Sequence, residues 1–73
     1  MTKKERRRLA SELAKYEIII QGSTDEKARR QAEEQVMKLT AKVTNFDDME
    51  AIDALVPDLM KKIIDEYSSM ENK

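Results

Sequence analysis

The chain has no cysteine, no histidine and no tryptophan, and only one glycine and one proline in 73 residues. Without cysteine, disulfides, thiolate nucleophiles and cysteine-bound zinc or iron–sulfur centres are excluded. Without histidine, the commonest general base and the commonest metal ligand are missing. A single glycine cannot build a glycine-rich phosphate loop, and no serine or threonine has a recognisable base partner. Two tyrosines and one phenylalanine leave little for stacking single-stranded bases. No apolar run approaches the roughly 18 to 20 residues of a membrane span. Glu12, Lys15 and Glu17 interrupt the segment that a secretory signal would need to be apolar. These absences lead us to expect a non-enzymatic, cofactor-free, cytoplasmic protein without a membrane span.

What is present favours helices. Charged and hydrophobic residues each make up 40% of the chain, and the apolar ones recur at helical rather than strand spacing. Thr2 and Glu5 have the spacing of a capping box, so a first helix is expected over residues 3–21. Leu9, Leu13, Tyr16 and Ile20 form its stripe, flanked by Ala10 and Ile19, and Gly22 is the expected left-handed stop. Ser23 and Glu26 repeat the capping spacing ahead of a second helix over residues 25–43, with Ala28, Ala32, Val36, Leu39 and Val43 on one face. So short a connection implies an antiparallel hairpin.

Thr44 and Asn45 supply cap candidates for a third helix over residues 46–70, followed by acids in its first turn. Met49, Ile52, Val56, Leu59, Ile63, Tyr67 and Met70 keep one face, and Leu55, Met60 and Ile64 widen it. Pro57 lies inside this pattern and removes one backbone bond, which leaves a kinked helix or two shorter ones. The expected fold is therefore all-α: a single domain spanning residues 1–73, built as a small three-helix bundle in which the hairpin is covered by the long third helix.

The near-neutral total charge of −1 conceals a division along the chain. Residues 1–21 carry six cations and three acids, residues 22–43 five and four, and residues 44–73 three and eight. A basic hairpin thus faces an acidic third helix, and such charges help to dock it. The cations Lys3, Lys4, Arg6, Arg7 and Arg8 stand at a helix N-terminus, where the helix dipole disfavours them. They are candidate contacts for an anion or nucleic acid, joined by Lys38 and Lys42, which the hairpin returns to the same end. Asp47, Asp48, Glu50 and Asp53 lack the ligand–glycine–ligand loop of a calcium site and read as a solvated helical face.

The broad face of the third helix is the main candidate for protein binding, through Leu55, Met60, Ile64 and Tyr67. Ile18 and Met37, apolar residues that miss their own helices' stripes, join that set. The function expected is that of a small helical adaptor or regulator acting through another protein. Two alternatives stand beside it: a basic hairpin that binds RNA or a ribonucleoprotein such as the ribosome, and a structural bundle that homodimerises.

Overall fold

The computed structural model describes residues 1–71, with side-chain surroundings as far as Ser68. It is a three-helix bundle of α1 (Lys3–Gly22), α2 (Glu26–Ala41) and α3 (Phe46–Glu71), with no strand among the described residues. The side chain of Met70, assigned above to the α3 stripe, lies outside that description.

Local chemistry sets each helix start. At α1 the Thr2 hydroxyl accepts from the Glu5 amide at 3.1 Å, and the Glu5 carboxylate accepts from the Thr2 amide at 3.3 Å, a complete capping box. Asn45 Oδ1 accepts from the Asp47 and Asp48 amides at 2.8 and 3.4 Å, closing the first turn of α3. At α2 the cap is Asp25, not Ser23, and the second capping box does not form. The Asp25 carboxylate accepts from the amides of Lys27 and Ala28, while the Ser23 hydroxyl accepts from the Asp25 amide. A carboxylate at that position also gains from the positive end of the helix dipole, which a serine hydroxyl does not.

Gly22 departs from expectation as well. No glycine has positive φ, so α1 does not end in a left-handed residue. Gly22 belongs to the last turn, and Ser23, in extended conformation, still donates its amide to the Ile19 carbonyl at 2.9 Å. A Cβ at position 22 would meet nothing within 4 Å. Gly22→Ala should therefore stabilise the fold by roughly 0.4–1 kcal/mol, by restricting the unfolded chain. Urea denaturation followed by circular dichroism measures this; a lower midpoint would mean that position 22 needs a left-handed backbone.

α2 stops at Ala41 because its end tightens: the amides of Lys42 and Val43 reach back only three residues, to the carbonyls of Leu39 and Thr40. α3, by contrast, runs unbroken through Pro57. Pro57 and Asp53, whose carbonyl loses its amide, are both exposed, so the missing bond falls where water can replace it.

The core consists of Leu9, Ala10, Leu13, Leu39 and Ile52, with Tyr16, Val36, Val43, Leu55, Val56 and Leu59 packed around it. α1 is the shared partner. Leu9, Ala10, Leu13 and Ala14 are all buried, and these residues span an arc wide enough for two neighbours. α2 packs against α1 and so does α3, whereas α2 and α3 touch one another only weakly. Ala10 and Ala14 are fully enclosed although each presents only a methyl group, so neighbouring atoms approach the α1 backbone closely there. The molecule is accordingly a slab, with principal extents of 41, 27 and 14 Å.

Candidate functional site

α1 and α3 run in the same direction, because residues near the start of each meet and residues further along each meet again. At the first meeting point, Asp48 in the first turn of α3 receives Arg6 from α1. Arg6 Nη2 and Nε lie 2.6 and 2.8 Å from Asp48 Oδ1, and the chain's amino terminus lies 3.4 Å from Oδ2. Asp48 is only 7% exposed, which corrects its assignment to a solvated face. Its position explains this: Asp48 precedes Ile52 by one helical turn and shares the inward row. The Arg6 hydrogen bond holds the Asp48 carboxyl below its usual range, burial opposes that shift, and the amino terminus reinforces it. Glu5 is likewise held low by hydrogen bonds from the Thr2 amide and hydroxyl.

Of the candidate anion contacts, Arg6 is thus half-buried and committed to Asp48. Lys3, Lys4, Arg7, Arg8, Lys38 and Lys42 are exposed, and none has a carboxylate within 4.0 Å among the described residues. Arg30 and Glu26 form the remaining pair at 3.7 Å, largely in solvent, where such pairs contribute little.

The candidate protein-binding residues divide between a groove on each side of α3 and the open surface. Leu55 lies in a groove of about 450 Å³ between α1 and α3, beside Lys3, Arg6 and Arg7. Met60 lies in a smaller groove of about 220 Å³ between α2 and α3, floored by Leu13 of α1 and walled by Val36 and Val56. That second groove exists because α2 and α3 do not close over α1. Ile64, Tyr67 and Met37 stand in solvent, 50%, 67% and 71% exposed. Ile18 is half-buried and so partly covered by the bundle itself.

A continuation of the α1–α3 groove, of about 280 Å³, was not anticipated. Arg7, Ser11 and Lys15 line it from α1, and Leu59, Lys62 and Ile63 from α3. Its signal was in the sequence as a row at four-residue spacing, Lys3, Arg7, Ser11 and Lys15. Among the described residues no group of acids is placed to hold a metal ion, and no helix is long and apolar enough to cross a membrane. No family model matches the chain, and no curated protein or solved structure matches it either.

Proposed function

We propose that this protein is a small, non-enzymatic helical adaptor or regulator that works in the cytoplasm by binding another protein. The observation supporting this reading is that the apolar face of α3 outruns the core. The core ends at Leu59, yet Ile64 and Tyr67 continue the apolar face into solvent, 50% and 67% exposed. Large exposed apolar residues recurring along one helix face suit helix-in-groove recognition.

A second reading, binding of RNA or a ribonucleoprotein, draws on Lys3, Lys4, Arg7 and Arg8, exposed cations without internal partners among the described residues. One experiment separates the two. Tagged protein and its Ile64→Ser/Tyr67→Ser variant are used to capture partners from host lysate, with and without nuclease. Both changed residues are exposed, so the variant should give an unchanged helical spectrum. Capture of one protein at near-equal stoichiometry, resistant to nuclease and reduced at least tenfold in the variant, is the expected outcome. Capture lost on nuclease treatment and unaffected by the variant would replace the adaptor reading with the RNA reading. Self-association alone, with nothing captured, would leave a structural bundle.

A further inference from the structure

The two grooves along α1 and α3 meet at Arg7, which lines both, and so form one trough. Its two sides differ in chemistry. The α1 side is the four-residue row Lys3, Arg7, Ser11, Lys15, three cations and a hydroxyl. From Lys3 to Lys15 that row extends about 18 Å, at about 1.5 Å per residue. The floor is the four-residue row of α3, Leu55, Leu59 and Ile63, each half-buried and open to the trough. The far wall on α3 has mixed charge, with Lys62 between Asp58 and Glu66. None of the three α1 cations has an internal carboxylate partner among the described residues, unlike neighbouring Arg6.

Resting on the adaptor reading, we propose that this trough receives an amphipathic helix of a partner protein, with apolar residues pointing down and acids along the flank toward α1. Charge complementarity fixes the sign and the side of the acids, and the leucine and isoleucine floor fixes the apolar stripe. A phosphate backbone would use the cations but gain nothing from that floor, and among the described residues no aromatic side chain lines it for base stacking. A second copy of this chain is disfavoured as occupant, because the apolar face of its acidic helix is already partly spent against its own α1. The length of the cation row suits an occupant of about three turns.

The test uses a fluorescein-labelled synthetic helix of about 14 residues, about 21 Å long. It carries leucines at i, i+3, i+4 and i+7 spacing, glutamates on one flank and glutamines on the other. Fluorescence anisotropy measures its binding to the full chain. A scrambled peptide of equal composition and an oligouridylate serve as competitors, and sedimentation at the same concentration reports self-association. The ordered peptide should bind at least tenfold more tightly than the scrambled one. Arg7→Glu/Lys15→Glu should weaken it at least tenfold. Ala54→Glu, which puts a larger, charged side chain on the far wall at an exposed position lining the trough, against the peptide's apolar stripe, should do the same. All three substituted positions are exposed, and circular dichroism verifies that the variants fold.

Equal binding of ordered and scrambled peptides, no loss in either variant, or tighter binding of the oligouridylate through the same residues would overturn the proposal. So would a dimer that Arg7→Glu/Lys15→Glu converts to monomer. The broader reading is tested separately, since Ile64 and Tyr67 do not line the trough. If the peptide fails while lysate capture still depends on those two residues, the trough is refuted and the adaptor reading stands.

Discussion

Ile52→Ala should leave much of the protein unfolded at room temperature. Ile52 is the largest fully buried side chain, with none of its surface exposed, and it ties α3 into the cluster built on Leu9, Ala10 and Leu13. Truncating a buried isoleucine to alanine costs about 2–5 kcal/mol, part in lost transfer energy and part in the cavity left behind. A core of this size rarely supplies more than about 3–5 kcal/mol of net stability. The loss is therefore comparable with the whole, and the urea midpoint should approach zero denaturant. Ile52→Val, which removes one methyl group, should cost only about 0.5–1.5 kcal/mol and remain folded. Urea titrations of the three proteins by circular dichroism check this series. If Ile52→Ala loses less than about 1 kcal/mol, a lower cost than the buried-site range allows, then α3 does not pack on α1 at this position.

The second large effect is expected at Asp48, and it is read against pH. Its carboxyl is held below the ordinary value by Arg6 and the amino terminus, whereas in the unfolded chain it titrates near about 3.9. With the folded pKa the lower of the two, the unfolded state takes up the proton first on acidification. The stabilisation is therefore fully present above about pH 4 and is lost as pH falls through the folded pKa. Asp48→Asn should be less stable than wild type at neutral pH, because Arg6 keeps only a neutral partner in a largely enclosed site. It should also lose less stability than wild type between neutral and strongly acid solution. Glu5 contributes to the same acid limb in both proteins and feels the Asp48 charge only as the smallest of its influences, so their difference reports chiefly on Asp48. Asp47→Asn and Glu50→Gln, at exposed positions, are the controls and should change little. Parallel acid profiles for wild type and Asp48→Asn would show that the Arg6 pair does not anchor α3.

The all-α three-helix architecture could be read from the sequence because its signals are periodic and local. Leu9, Leu13 and Tyr16, then Ile52, Val56 and Leu59, recur at helical spacing, and Thr2 with Glu5 announces the first cap. Features decided by tertiary contact were harder to read. Ala10 and Ala14 mark α1 as the helix with two neighbours, but a methyl group adds little to an apolar pattern. Asp48 is charged, so its inward position shows only when Arg6 is seen to meet it. Gly22 can adopt a left-handed turn but does not have to, and Ser23 and Asp25 are both competent caps two residues apart. In the candidate site, the identities of the free cations were legible, whereas the removal of Arg6 from that set needed the fold. The α1–α3 trough was visible only as two four-residue rows whose adjacency no single helix reveals.

That α1 serves both neighbours while they largely ignore each other shapes how the molecule opens. α2 buries only Ala32 and Leu39, and its release would bare the Leu9, Leu13 and Ile52 cluster that Leu39 completes while breaking no part of the Arg6–Asp48 pair. On this layout α2 is the helix expected to open first, and α1 with α3 the pair expected to be better protected from amide exchange. The price in kinetics is that this protected pair joins residues 6 and 48 across an intervening helix. Winding α2 into a helix, at about 1.5 Å per residue, shortens the span between them and so the search by which α1 and α3 find each other.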